Sequence, residues 1–127
     1  MSIADMFPCL VGTLFEHGIN AAIFYPPSSA VLFKGDQSVV LNYRYKTREG
    51  TEKIARRYNC LFGTIFEKGI DAAFGCFIAN QFYIFKGDCY ARTESTSFEH
   101  NDNFIVGGKI KRISEYWPAL LDLLEED

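Results

Sequence analysis

The residues best equipped for chemistry are four cysteines, Cys9, Cys60, Cys76 and Cys89, and two histidines, His17 and His100. A zinc site would gather such side chains in close pairs, and no Cys-x-x-Cys or Cys/His spacing of that kind is present. Met1 to Pro8 has neither a basic leading stretch nor a long apolar run, so the four thiols are read as reduced, in a cytoplasmic protein. Nucleophilic catalysis finds no support. Cys9 follows Pro8 with no base beside it, and Ser28-Ser29 after Pro26-Pro27 reads as a turn. No Gly-x-Ser-x-Gly elbow, phosphate-cradling glycine loop or His/carboxylate set occurs, which argues against an enzyme. The formal charge is −3, and Lys and Arg are scattered apart from Lys109, Lys111 and Arg112, which argues against a nucleic-acid partner. No segment is long and apolar enough to cross a bilayer as a helix.

The elements that must position these residues are set by a repeat. Leu10-Val11-Gly12-Thr13-Leu14-Phe15-Glu16 is answered by Leu61-Phe62-Gly63-Thr64-Ile65-Phe66-Glu67. Gly18-Ile19-Asn20-Ala21-Ala22-Ile23 is answered by Gly69-Ile70-Asp71-Ala72-Ala73-Phe74, and Phe33-Lys34-Gly35-Asp36 by Phe85-Lys86-Gly87-Asp88. The copies lie about fifty residues apart, a period typical of propellers and other repeat folds. Cys9 and Cys60 hold the same position in the two copies, which marks a packing site. At 127 residues, 48% of them apolar, the chain can bury a core of its own.

A short helix is expected at Ile3–Leu10, at Ile54–Leu61 and again from Ile113 to Leu120, with Thr51 capping the middle one. Between them stand two units of short strands. The first has Asn20–Phe24, Val31–Lys34 and Ser38–Asn42; the second has Asp71–Phe77, Phe82–Lys86 and Cys89–Thr93. Gly35-Asp36 and Gly87-Asp88 suit tight hairpins, and Pro26 to Ser29 and Ala79-Asn80 suit the other turns. Weaker outer strands are expected at Arg44–Lys46 and Phe104–Val106, and a polar loop spans Glu94 to Asn103. Ala-Ala in the inner strand forfeits β-propensity, which makes sense where several strands converge around an axis.

The signature Ile-Asp-Ala-Ala-Phe, then Tyr-Ile-Phe-Lys-Gly-Asp, Tyr-Ala-Arg and Tyr-Trp-Pro resembles the hemopexin-like repeat, and within that group the albumin-2 proteins of legume seeds. The likeness runs from about Ile3 to Leu120. It implies a mainly β protein with two propeller blades and short connecting helices. The expected layout is one hemopexin-like domain over 1–127: repeat one at about 3–53, repeat two at about 54–112 and a C-terminal helix at about 113–124. The family closes four blades. Two blades cannot bury their apolar faces alone, so a homodimer completing a four-bladed β-propeller is expected. The apolar stretch from Trp117 to Leu124 could cover an edge or dock across the dimer seam. Asn20 replaces the Asp71 of the other repeat, a departure from the pattern.

The resemblance further implies cations and chloride in a central tunnel lined by backbone carbonyls. Asn20 and Asp71 would form one layer and Ala22 and Ala73 the next, as oxygen ligands suited to Ca²⁺ or Na⁺. Some relatives bind haem, for which His17 and His100 are the candidate axial ligands, Cys76 and Cys89 being weaker. A spermine-like polyamine is the other implied ligand. Glu16, Glu67, Asp5 and Glu115 recur near helix ends, but none is singled out as a polyamine contact. The function expected is therefore a non-enzymatic binding protein of seed tissue. The alternatives are a storage or structural protein, or a protein-interaction module using the Glu94–Asn103 loop.

Overall fold

The computed structural model describes residues 7–25, 27–75, 80–95 and 103–116. Ten strands form two antiparallel sheets of five. Sheet one contains β1 (Ala21–Tyr25), β2 (Ser29–Lys34), β3 (Gln37–Asn42), β4 (Thr47–Arg48) and β5 (Glu52–Lys53). Its order is β1-β2-β3-β4, with β5 also on β3. Sheet two contains β6 (Ala72–Gly75), β7 (Gln81–Lys86), β8 (Cys89–Ser95), β9 (Asn103–Ile105) and β10 (Lys111–Arg112). Here β6 pairs with β7 and β7 with β8, and β8 carries both β9 and β10. The hairpins fall where glycine permits them. Gly35 and Gly87 both have φ of 57°, open to glycine at no steric cost, and Lys34 faces Gln37 as Lys86 faces Cys89.

Helices are few and short. The four-residue α1 (Ile54–Arg57) runs into a 3-10 turn at Asn59–Leu61, so the expected helix Ile54–Leu61 is broken at Tyr58. Thr51 does not cap it. Lys53 holds the cap position, and the Ile54 N–H donates to the Asp36 carbonyl in the β2–β3 hairpin. Of Ile3–Leu10, the described part is a 3-10 turn at Pro8–Leu10. The four-residue α2 (Ile113–Tyr116) falls at the start of the helix expected at Ile113–Leu120, and residues 117–120 lie outside the described residues.

The outer strand expected at Arg44–Lys46 is a turn. Asn42 Oδ1 accepts from the N–H groups of both Arg44 and Tyr45 at 3.0 Å, and Lys46 adopts a positive φ of 56°. This Asx arrangement bends the chain, and pairing resumes only at β4, where Leu41 faces Arg48. In sheet two the outer strand falls at Asn103–Ile105, within a residue of expectation.

Alternation along the strands divides the apolar residues into layers. Ala21, Ile23, Val31, Phe33 and Val40 of sheet one meet Phe82, Ile84 and Ala91 of sheet two, with Ile54, Tyr58, Leu61, Phe66 and Ile70 in the same layer. The opposite face of sheet one, Ala30, Leu32, Val39 and Leu41, is covered in part by Leu10 and Phe15. The opposite face of sheet two carries Phe85 and Tyr90, packed on Ile113. Cys60 packs against the shared layer and Cys9 against the outer face of sheet one, the same duty in each copy.

Candidate functional site

Strands β1 and β6 are the inner edges of their sheets and lie beside one another. Among the described residues each pairs with a strand on one side only. The segment that leads into β6 passes close to the β2–β3 hairpin of the other sheet: a Cβ added at Gly69 would sit 3.3 Å from the Gly35 carbonyl oxygen. Just before each strand stands the residue expected in the first tunnel layer. Asn20 N–H donates to the Phe33 carbonyl at 2.7 Å, and Asp71 N–H to the Phe85 carbonyl at 2.8 Å.

The side chains of these two residues have a further task. Asn20 Oδ1 accepts from Gly35 N–H at 2.9 Å, and Asp71 Oδ2 accepts from Gly87 N–H at 2.8 Å. Each thus pins the following hairpin to the head of the inner strand. An amide oxygen and a carboxylate oxygen are interchangeable as acceptors, which explains how Asn20 replaces Asp71 in the first repeat. Ala22 and Ala73, both half-buried, stand two residues further on in each chain segment. Among the described residues no three His, Cys, Asp or Glu side chains converge. A cation on this axis would therefore draw on backbone carbonyls, supplemented by what remains of the Asp71 carboxylate.

His17 projects into solvent. Its imidazole is 87% exposed, with Nε2 3.1 Å from Glu16 Oε2. It lines neither the groove on sheet one nor the cleft on sheet two. His100 lies outside the described residues, as does Cys76. Cys9, Cys60 and Cys89 are free thiols, all half-buried.

Sequence reasoning missed the polar groups buried between the sheets. Tyr25 and Tyr58 share a hydroxyl–hydroxyl bond of 2.8 Å, and the Tyr25 hydroxyl donates to Ser95 Oγ at 3.3 Å. Burial pushes both phenols above their usual pKa, Tyr58 well above, so both keep their protons. Arg57, 4% exposed, donates through Nε to Ser38 Oγ at 2.8 Å, and its Nη2 lies 3.6 Å from Glu52 Oε2. Nothing in the first repeat signals Arg57, because Met6 holds the matching position.

The outward faces of the two sheets differ. Sheet one carries an open groove of about 680 Å³ lined by Phe7, Ala22, Phe24, Leu32, Tyr43 and Lys46 among others. Phe24 on its wall is 62% exposed. Sheet two presents rings: Phe74, 49% exposed, stacks on Phe85 and tilts against Tyr83. A smaller cleft of about 140 Å³ on that sheet is lined by Tyr83, Tyr90, Arg92, Lys109 and Lys111 among others. The faces are related by the repeat. Outward Ala30 and Leu32 correspond to inward Phe82 and Ile84, and outward Tyr83 and Phe85 to inward Val31 and Phe33.

No protein-family model matches the sequence. Albumin-2 of Pisum sativum is 40% identical over 125 residues, which are 96% of this chain and 53% of that protein. Among solved structures, a plant albumin from Cicer arietinum superposes with a TM-score of 0.91 at 37% identity, over 100% of this chain and 56% of that one. A hemopexin-fold protein from cow pea gives 0.88 at 35%, over 96% and 54%. A Cicer arietinum lectin described as having two metal-binding sites gives 0.90 at 38%, over 100% and 56%. The chain thus spans about half the length of the relatives it matches. Over nearly its whole length the chain is similar to about half of an albumin-2 protein, and it shares the fold of these plant albumin and hemopexin-fold structures.

Proposed function

We propose that this chain is one half of a closed four-bladed propeller, completed by a second copy, and acts as a non-enzymatic small-ligand-binding protein of seed tissue. The observation that carries the reading is the exchange of faces between the repeats. Each outward face is the repeat counterpart of an inward face, and the two inward faces already pack together within one chain. Two copies related by a two-fold axis would bring outward sheet one against outward sheet two twice, leaving neither unpaired. The exposed rings Phe24 and Phe74 would then be covered.

Ring closure would bring four inner strands around one axis. Asn20, Ala22, Asp71 and Ala73, with their copies, would supply carbonyl oxygens for Ca²⁺ or Na⁺, and chloride is the expected counter-ion. The metal sites of the Cicer arietinum lectin support this by analogy. For the organic ligand, haem and a spermine-like polyamine are the two arms to test. His17 is exposed beside Glu16 and lines neither the groove on sheet one nor the cleft on sheet two. His100 remains the haem candidate to test by substitution.

Sedimentation equilibrium is the deciding experiment. The expected mass is twice 14.4 kDa, and a monomer at every concentration would sink the two-copy ring. On the dimer, exhaustive chelation should lower the melting temperature, since a ligand bound only by the folded state stabilises it. Titration with hemin and with spermine, read by absorption and calorimetry, then chooses the ligand. Binding of neither would leave the storage or structural role.

A further inference from the structure

The junction inside the chain and the seam that would repeat it differ in bulk. Between the sheets, Tyr25 packs on Phe82 with ring centroids 5.2 Å apart, and Tyr58 bonds to Tyr25. In the register of the repeats Ala30 stands where Phe82 does, and Cys76 where Tyr25 does. A seam between two copies would lack both rings. In a single copy this face of sheet one is the open groove of about 680 Å³; a partner's sheet two would fill part of it, and the two missing rings leave the rest for an inserted anchor residue.

The chain itself carries a candidate filler. Ile113 N–H donates to the Asp88 carbonyl at 2.7 Å, as Ile54 N–H does to Asp36 at 2.9 Å. Thus α2 leaves sheet two as α1 leaves sheet one. The residue directly after α1 is Tyr58, buried between the sheets; the residue directly after α2, at the same spacing, is Trp117. On sheet one the counterpart of the Tyr58–Phe66 segment is already present, with Leu10 and Phe15 fully buried. Trp117 from another copy would therefore find that track taken and meet the adjoining groove, walled by Phe7. Lys46 on the groove wall complements the acidic Glu125-Glu126-Asp127, eight to ten residues beyond Trp117.

We infer that Trp117 of one copy inserts into the sheet-one groove of a second copy, so that the C-terminal segment latches the seam. The inference rests on the two-copy ring. Trp117 is the single tryptophan of the chain, so its fluorescence reports on this site alone. The test is emission and acrylamide quenching of the full chain across a dilution series, with sedimentation in parallel. The expected result is blue-shifted, protected emission in the dimer, turning red and quenchable as the mass halves. Phe24→Glu, at a position exposed in one copy, should weaken association about tenfold or more and expose Trp117 at concentrations where the parent protects it. Tyr43→Lys, whose ring meets Phe24 edge-on with centroids 6.3 Å apart, should do the same, and circular dichroism of both variants checks that each copy still folds. A dimer whose Trp117 is freely quenched overturns the latch and leaves the ring standing; a dimer untouched by both substitutions overturns both, because the ring buries Phe24. A monomer at every concentration overturns both. Protection of Trp117 that persists as the mass halves assigns it to its own chain and overturns the latch as well.

Discussion

The two faces of sheet one are built from alternate residues of the same three strands, yet one is sealed and the other open. Inward, Phe33 is fully buried under a layer shared with sheet two; outward, Phe24 is 62% exposed on a groove. Strand alternation gives both faces apolar residues, so hydrophobicity alone does not distinguish a core from an unfinished interface. The difference is made by a second repeat packed on one side. The comparison separates stability within one copy from association between copies. Phe33→Ala should destabilise each copy by about 3–5 kcal/mol, the range for truncating a core aromatic. Phe24→Ala should change the unfolding free energy of one copy by less than about 0.5 kcal/mol while weakening the dimer. Urea melts, extrapolated to the dilute limit, measure both; equal costs would erase the distinction.

A sharper contrast lies in two adjacent arginines. Arg56 is exposed and meets Glu52 from one helical turn away at 3.7 Å, an interaction worth little in water. Arg57 is buried and serves Ser38, Gly50 and Glu52 at once. Arg57→Ala removes the donor to the buried Ser38 hydroxyl, which keeps its own bond to the Glu52 carbonyl, together with the bond to Gly50 and the pairing with Glu52, and should cost about 2–3 kcal/mol. Arg56→Ala should cost less than about 0.5 kcal/mol. Chemical denaturation of the two variants side by side checks the ratio.

The repeats can also be compared through Asn20 and Asp71. Asp71→Ala removes the acceptor for Gly87 N–H and should cost about 1–2 kcal/mol, whereas Asp71→Asn should be nearly silent in a melt without cations, because Asn20 already performs that task as an amide. If the axis holds a cation, Asp71→Asn should reduce the stabilisation that added Ca²⁺ gives, and Asn20→Asp should increase it. Identical Ca²⁺ responses in both variants would remove these side chains from any cation site.

The repeat, the hairpins and seven of the strands are legible because glycine turns and alternating apolar residues leave strong local marks. Gly35 and Gly87 fall where a positive φ is required, and the paired apolar runs became β2 and β7. The fourth strand of sheet one was misplaced because the decisive signal was a side chain: Asn42 turns the chain by bonding to Arg44 and Tyr45. The middle helix starts at Ile54 as expected but is shorter, because the chain leaves helical backbone at Tyr58, where the apolar pattern carries no mark of a break. Of the site, the pairing of Asn20 with Asp71 could be read from the repeat, but their hold on the hairpins could not. Nor could the Tyr25–Tyr58–Ser95 cluster, whose members come from three distant segments.

The smallest expected effect concerns the alkaline limit of the sealed junction. Cys60 packs against the layer between the sheets, and burial pushes its thiol from 9.0 up to about 11. In the unfolded chain the thiol loses its proton near pH 9, while the folded protein holds it to about pH 11. Between those values the unfolded state binds fewer protons, so stability falls as pH rises; below pH 9 the contribution is complete. Cys60→Ser, whose hydroxyl does not titrate in this range, should flatten the stability profile between about pH 9 and pH 11. The difference should stay below about 2 kcal/mol, since the thiol is only half-buried. Tyr25 and Tyr58, both raised above 10.0 by burial, should keep a falling limb above pH 10 in either protein. Urea melts from pH 8 to 11 on the two proteins read this directly. Parallel profiles would mean that the Cys60 thiol ionises as freely in the folded chain as in the unfolded one, and that water reaches this edge of the junction.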